Sequence, residues 1–180
     1  MKGYFGIGIV SVSKVGNAGN LIRTANAFGA QFVFMVAPDF RRHIDKFDTA
    51  KTASAIPVFE AERFDDLTIP NGAELVGIEL CDEAVALPSF AHPRRALYVL
   101  GGERVSLSAQ MQSKCDYLIK IPTKFSLNVA TAGAIVMYDR MRALAQFGER
   151  PMWPKGHAEP RQQHQHGGPI TRTGKLGKTQ

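Results

Sequence analysis

"YLIKIPTKFSLNVATAGAIVMYDR", residues 117–140, changes its pattern once, at a proline. The first five residues are apolar except for Lys120 and are typical of a short strand, and Pro122 marks its end because proline cannot donate to a sheet ladder. Ser126 and Asn128 are common at helix starts, since their side chains accept hydrogen bonds from free backbone N–H groups. The stretch therefore predicts a strand, a short loop and a long helix over about residues 126–147.

The first turns of that helix are unusually small, with Ala130, Ala132, Gly133 and Ala134 close together. Small side chains let a ligand, another backbone or a second subunit approach a helix. The free N–H groups at a helix start can also bind an acceptor atom. The segment predicts a place of close approach and leaves the approaching group open.

Strands and helices alternate along the rest of the chain. Predicted strands cover residues 4–12, 31–36, 57–60, 74–80, 95–101 and 117–121, and predicted helices cover 19–28, 49–55, about 60–67 and 106–114, with loops at 38–48 and 88–93. This order predicts an α/β fold with a mostly parallel sheet and helices on both faces. Ligands of such sheets bind beyond the carboxyl ends of the strands, so residues that directly follow strands are the candidate site.

The composition fits one globular domain. The chain has 180 residues, of which 44% are hydrophobic and 21% charged, and the net charge of +6 with a pI near 9.5 favours anionic partners, with RNA or DNA first. Cys81 and Cys115 are isolated thiols without metal-site or disulfide spacing. The absence of a targeting pattern and of a long apolar run predicts a cytoplasmic protein.

A change in composition divides the chain into a globular part, residues 1–149, and a tail, residues 150–180. The tail is basic and rich in Pro, Gly, Gln and His, which predicts flexibility. It could act as a basic arm on nucleic-acid phosphates or be a solvated terminus. Its histidines, His157, His164 and His166, lack partner acids or cysteines at metal spacing, so no metal site is expected.

The stretch "VGNAGNLIRTANAFGA", residues 15–30, places an arginine among small and apolar residues. Helical spacing puts Leu21, Ala25 and Phe28 on the core side and Arg23 on the opposite side, in one stripe with Gly19 and Asn26. Asn17 and Asn20 are good helix-start residues. Arg23 is either a solvated surface cation or a rigidly held cation that meets an anionic group.

The stretch "YVLGGERVSLS", residues 98–108, places two glycines directly after a strand and then an acid, Glu103. Glycine permits close backbone approach to a ligand, and a neighbouring carboxylate can orient a cation or a hydroxyl group. The loop matches neither a dinucleotide-binding fingerprint nor a phosphate loop. Taken alone, it is equally compatible with a plain turn.

Taken together and in this order, the three stretches resemble the SPOUT superfamily, specifically the TrmH/SpoU-like RNA ribose 2′-O-methyltransferases, over about residues 4–147. The resemblance implies a trefoil knot in the C-terminal part of the sheet, which is rare among folds. It also implies bound S-adenosyl-L-methionine, a homodimer, and tRNA or rRNA as substrate. The alternatives are a catalytically inactive RNA-binding protein of the same fold and an ordinary nucleotide-binding enzyme of Rossmann type.

The resemblance also assigns roles to residues. Those expected to line the cofactor pocket are Leu100, Gly101, Gly102, Ile121, Pro122, Leu127 and Ala130, with Glu79 and Leu80 at its edge. Those expected to form the polar catalytic site are Asn17, Arg23, Glu103, Ser126 and Asn128, with Arg23 reaching toward a neighbouring subunit's cofactor. A guanidinium stays protonated, so Arg23 is expected to act as an electrostatic clamp rather than a general base.

Two departures from the family pattern add cations beside this pocket. Arg104 stands where the family usually has glycine, and the loop 122–126 is shorter and carries Lys124 in place of a glycine-containing turn. The residues predicted to contact RNA are Arg41, Arg42 and Lys46 in the basic loop, with Arg104 and Lys124.

Overall fold

Seven strands form one sheet in the computed structural model, which describes residues 3–37, 55–103 and 105–145. The strands are β1 Tyr4–Val10, β2 Phe32–Val36, β3 Val58–Ala61, β4 Glu74–Ile78, β5 Val85–Ala86, β6 Arg95–Leu100 and β7 Tyr117–Lys120. Their order across the sheet is β3-β2-β1-β6-β4-β7-β5, and each pairing between them is parallel. The predicted α/β fold with a parallel sheet is confirmed.

In the described part of the chain, three α-helices cover the sheet: α1 Val15–Ala27, α2 Ala109–Lys114 and α3 Val129–Leu144. Alternate residues of a strand point to opposite faces, and β6 shows this division clearly. Tyr98 belongs to a core cluster that includes side chains of α1 and α3, whereas Leu97 and Val99 belong to a second cluster that includes Met111 of α2. Helices therefore lie on both faces, as predicted.

The small residue Gly133 lets α3 pack closely against α1. A methyl group at Gly133 would come within 2.6 Å of a methyl carbon of Leu21 on α1. The close approach predicted for this segment is therefore made, at least at Gly133, by the chain itself. The two helices pack together above β1, where Ile7 and Ile9 are fully buried.

Two predicted helices differ from the observed ones. The helix expected at about 60–67 is only a 3-10 turn over Phe64–Asp66, where Asp66 closes back on the Arg63 backbone and guanidinium. Helix α1 starts at Val15, four residues before the predicted start, so Asn17 and Asn20 lie inside it and are not its capping residues. This shift matters because it leaves the Asn17 side chain available for other contacts.

A buried polar cluster connects α3 to the amino-terminal edge of the sheet, where the parallel strands begin. Arg140 is 5% exposed, and its guanidinium donates to the carbonyl oxygens of Pro93 at 2.5 Å and Arg94 at 2.9 Å and to the Tyr98 hydroxyl at 3.2 Å. The guanidinium also lies 5.1 Å from the centre of the Phe5 ring. A buried cation requires such partners, because desolvation would otherwise destabilise it.

His92 completes this cluster. One ring nitrogen lies 2.6 Å from the Tyr98 hydroxyl and the other lies 3.0 Å from a carboxylate oxygen of Asp139. Burial lowers the pKa of His92 and outweighs the opposing effect of Asp139, while burial raises the pKa of Tyr98 to about 12. The sequence reasoning missed this cluster, which has a structural role.

The loop 38–48, nearly all of the helix predicted at 49–55, and the tail 150–180 lie outside the described residues. Among the described residues, no helix has both the length and the apolar character needed to span a membrane.

Candidate active site at the carboxyl edge of the sheet

A pocket of about 530 Å³ opens beyond the carboxyl ends of β4, β6 and β7, beside the start of α3. This is the edge where a parallel sheet is expected to bind ligands. The apolar part of its wall is formed by Ile78, Leu80, Leu100, Val105, Ile121, Leu127, Val129 and Ala132. The polar and glycine part is formed by Lys14, Glu79, Gly101, Gly102, Glu103, Ser106, Thr123, Ser126 and Asn128.

Seven of the nine residues predicted to bind a cofactor line this pocket. They are Glu79, Leu80, Leu100, Gly101, Gly102, Ile121 and Leu127. The other two are not among the lining residues: Pro122 is exposed, and Ala130 is buried in the core between α3 and the sheet. The N–H group of Ala130 donates to the Asn128 side chain at 3.0 Å.

A chain of hydrogen bonds joins the three sequence motifs at one side of the pocket. The Asn17 amide donates to a carboxylate oxygen of Glu103 at 2.6 Å, and the Asn128 amide donates to the Asn17 side-chain oxygen at 3.0 Å. Asn17 is 8% exposed. The early start of α1 makes this arrangement possible, because Asn17 points inward from the first turn of the helix instead of capping it.

Asn128 has two tasks in this chain. Its side-chain oxygen accepts hydrogen bonds from the N–H groups of Ala130 at 3.0 Å and Thr131 at 3.3 Å, so it is the N-cap of α3. Its amide nitrogen donates to Asn17. The start of α3 and the polar site are therefore held by one side chain.

Glu103 is held as a carboxylate. Its second oxygen accepts hydrogen bonds from both the backbone N–H and the hydroxyl group of Ser13 at 3.0 Å. Partial burial opposes ionisation, but the hydrogen bonds from Ser13 and Asn17 together outweigh it, so the pKa of Glu103 lies below its ordinary value. This carboxylate fixes the exit of β1 and the first turn of α1 against the glycine loop.

The two glycines before Glu103 are required by the chain's own packing. A methyl group on Gly102 would lie 2.2 Å from the carbonyl oxygen of Ser11, and one on Gly101 would lie 2.7 Å from the carbonyl oxygen of Val105. The close approach of a ligand to these glycines stays a prediction, and in this structure the approaching groups are neighbouring loops. That packing places Glu103 at the pocket.

Glu79 fixes another part of the wall. Its carboxylate accepts a hydrogen bond from the N–H of Leu107 at 2.7 Å and one from the N–H of Leu80 at 2.9 Å. The exit of β4 is thereby tied to the segment that precedes α2. Both pocket carboxylates are thus engaged by the chain's own donors.

Arg23 lies apart from this polar chain. Its side chain is exposed on α1, and within the described residues it makes no hydrogen bond or ion pair with Glu103, Ser126 or Asn128. Gly19, expected beside it on an open stripe, is buried. Ser126 is exposed and lines the pocket.

Of the residues predicted to contact RNA, only Lys124 is described, and its side chain is exposed in the loop between β7 and α3. Arg41, Arg42, Lys46 and Arg104 lie outside the described residues. Across the described ranges, no group of three or more His, Cys, Asp or Glu side chains could hold a metal ion.

The sequence reasoning missed four polar residues of the site, Ser13, Lys14, Ser106 and Thr123. Ser13 binds Glu103, and the other three line the pocket. All four follow a strand by three to six residues, so the rule that ligands bind at the carboxyl ends of strands could have found them.

The fold and the site define a parallel α/β protein with a ligand pocket at the carboxyl edge of its sheet. The sequence model of the SpoU rRNA Methylase family matches residues 5–138, a range that includes all of the sheet except Tyr4 and most of α3. The chain therefore belongs to the SpoU rRNA methylase family.

The chain is also similar to three known proteins. A putative TrmH family tRNA/rRNA methyltransferase from Staphylococcus haemolyticus is 30% identical over 145 residues, which are 74% of this chain and 56% of that protein. A tRNA (guanosine(18)-2′-O)-methyltransferase of Mus musculus is 25% identical over 142 residues, 73% of this chain and 9% of that protein. The crystal structure of an AdoMet-bound rRNA methyltransferase from Sinorhizobium meliloti superimposes with a TM-score of 0.72 at 24% identity, covering 81% of this chain and 59% of the other. This chain thus spans about half the length of the staphylococcal relative.

Proposed function

We propose that this protein transfers a methyl group from S-adenosyl-L-methionine to a ribose 2′-hydroxyl of tRNA or rRNA, as a homodimer in which Arg23 acts at the partner's pocket. The observation that carries the proposal is the hydrogen-bonded chain Glu103–Asn17–Asn128 at the side of the pocket. It brings together one polar residue from each of the three motifs that resemble the ribose methyltransferases.

The pocket fits the methyl donor in size and chemistry. Its volume of about 530 Å³ is within the range of roughly 300–1,000 Å³ typical of small-molecule sites. Apolar side chains such as Leu80, Leu100 and Leu127 suit the faces of an adenine ring, and the backbone around Gly101 suits its edges. When bound, S-adenosyl-L-methionine supplies an electrophilic methyl group on a sulfonium.

The chain's own residues have to position the ribose and stabilise the oxygen that loses its proton. A hydroxyl group is a weak nucleophile near neutral pH, so orientation and a nearby fixed cation contribute most to the rate. Arg23 is exposed and separate from its own pocket's polar chain, which supports a role in a second subunit's site. The guanidinium stabilises the developing negative charge or an adjacent phosphate, while Glu103, Asn17 and Asn128 keep the receiving site rigid.

The charge distribution supports an RNA substrate. The net charge is +6, and Lys14 and Lys124 lie at the pocket and its neighbouring loop. The basic loop residues and Arg104 are proposed as further phosphate contacts. The trefoil knot remains a prediction from the family resemblance.

The test uses the full chain with methyl-labelled S-adenosyl-L-methionine and bulk tRNA or rRNA from cells that lack this protein, followed by mapping of ribose methylation. Arg23→Ala is expected to reduce the rate by about 10²–10³ while binding of the methyl donor is retained. Arg63→Ala is the matched control, since Arg63 is an exposed arginine paired locally with Asp66. A wild-type rate for Arg23→Ala, or label in a base and not in a ribose, would overturn the proposal.

A further inference from the structure

We propose that Phe125 is a stacking platform for an RNA base beside the pocket. This proposal rests on the RNA-directed function proposed above and adds to it a residue that contacts a base. Phe125 lies in the loop between β7 and α3, residues 122–127, and its ring is the contact surface.

Phe125 is 75% exposed, more than any other large hydrophobic side chain in the described ranges. Burying such a side chain stabilises a protein by roughly 1.5–3 kcal/mol, and this loop forgoes that stabilisation. A single exposed hydrophobic residue is ordinary on a protein surface, but the position of this one is not random. Thr123 and Ser126 on either side of it both line the pocket, whose wall includes two more exposed apolar side chains, Leu80 and Val105.

The loop is held in shape before any ligand arrives. The Thr123 N–H donates to the carbonyl oxygen of Ile121 at 2.8 Å, and the Thr123 hydroxyl donates to the carbonyl oxygen of Phe125 at 2.9 Å. At its far end the loop is fixed by the Asn128 cap of α3. An aromatic ring on an ordered loop loses little conformational entropy on binding, which favours a recognition role.

The cations of the loop and of the pocket favour a polyanion with aromatic groups as the occupant. Lys124 precedes the ring in the chain, and Lys14 lines the pocket. The two pocket carboxylates are already bonded to the chain's own donors. Aromatic side chains next to cations are the pattern by which proteins bind unpaired nucleotides, since bases stack on the ring and phosphates meet the cations.

The experiment measures binding of two fluorescein-labelled oligomers of equal length to the full chain by anisotropy. One is an oligoadenylate, and the other is an abasic ribose-phosphate chain without bases. Phe125→Leu is expected to weaken oligoadenylate binding by about 5- to 100-fold and to leave abasic binding within about twofold. Phe125→Trp is expected to bind oligoadenylate as tightly as the wild type.

Phe59→Leu is the matched control, because Phe59 is 52% exposed on the edge strand β3, at the other end of the sheet order. It is expected to change neither affinity. Thr123→Val removes the hydroxyl that holds the loop and is expected to weaken oligoadenylate binding by about 2- to 10-fold. The proposal is overturned if Phe125→Leu leaves oligoadenylate binding unchanged, or weakens both oligomers equally. It is also overturned if the variant changes the sedimentation of the free protein, because the ring would then be covered by a second copy.

These results are independent of methyl transfer. Loss of oligoadenylate stacking in Phe125→Leu, together with no transfer by the wild type to any RNA, would leave the platform standing and refute the proposed reaction. Ribose methylation by both wild type and Phe125→Leu with equal RNA affinity would refute the platform alone.

Discussion

Asn17→Asp would replace one link of the polar chain by a carboxylate of the same shape. The amide that donates to Glu103 at 2.6 Å would become a second acceptor next to an existing carboxylate. At an effective dielectric of ~20, two charges at that separation repel by about 6 kcal/mol. Since Glu103 is only partly buried, solvent screening lowers this value, and we expect a loss of about 2–3 kcal/mol of unfolding free energy at neutral pH.

The pH dependence gives this prediction its sign. One carboxyl of the new pair has its pKa raised in the folded protein, so the folded state binds more protons than the unfolded state and stability recovers as pH falls. Protonation of one carboxyl relieves the repulsion. For a carboxyl of ordinary pKa, this protonation costs ~1.4 kcal/mol for each pH unit above that pKa. The difference from wild type should therefore be constant above about pH 6 and decline toward pH 4. The favourable effect of an acid in the first turn of a helix, about 0.3–1 kcal/mol, is too small to reverse it.

The assay is urea unfolding of both proteins at a series of pH values. Asn20→Asp is the control, because Asn20 is exposed on the same helix three residues further on, and its stability should stay within about 0.5 kcal/mol of wild type. Equal stability of Asn17→Asp and wild type at neutral pH, or a difference that does not shrink in acid, would refute the claim that Asn17 donates to an ionised Glu103.

Three further predictions concern other parts of the molecule. A mixture of Arg23→Ala and Asn128→Ala proteins, each impaired alone, should recover part of the ribose methylation. A mixed dimer would contain one intact site, with Arg23 from one subunit and Asn128 from the other. No recovery after subunit exchange would contradict a site shared between subunits. The stability of the wild type should fall as pH is lowered from about 7 to 5, because burial lowers the pKa of His92 in the folded protein and the unfolded chain takes up the proton first. His92→Gln should flatten this part of the profile of urea midpoint against pH. An unchanged slope would argue against this role of His92. Gly102→Ala should lose about 1–3 kcal/mol of unfolding free energy, because its methyl would meet the carbonyl oxygen of Ser11, directly after β1. Gly16→Ala, with open space around it, should be neutral or gain up to about 1 kcal/mol in thermal melts. Similar losses in both would contradict the packing argument.

The order of strands and helices could be predicted because short apolar runs and turn residues are local signals. The location of the pocket followed from the parallel sheet alone, and Gly101 and Gly102 were singled out by their position after a strand, whereas Ile121 was assigned from the family resemblance. The family resemblance supplied what local patterns could not, namely which polar residues belong together.

Other features depend on distant contacts that no local pattern encodes. The start of α1 at Val15 is one, since Asn17 looks like a capping residue until Glu103 and Asn128 are placed beside it. The buried polar cluster is another, because it joins His92 and Tyr98 to Asp139 and Arg140 of α3, more than 40 residues further along the chain. The helix expected at 60–67 is a third, since Glu60 and Ala61 pair with β2 as part of strand β3 and only the 3-10 turn Phe64–Asp66 follows.

Asn128 couples the stability of the start of α3 to the geometry of the polar chain at the pocket. The first turn of α3 cannot fray without releasing the side chain that steadies Asn17, so partial unwinding of that turn also dismantles the polar chain. A protein whose α3 start is open therefore lacks the complete polar chain even when its sheet is formed. Slowed amide exchange at Ala130 and Thr131 upon ligand binding would be the direct sign of that dependence.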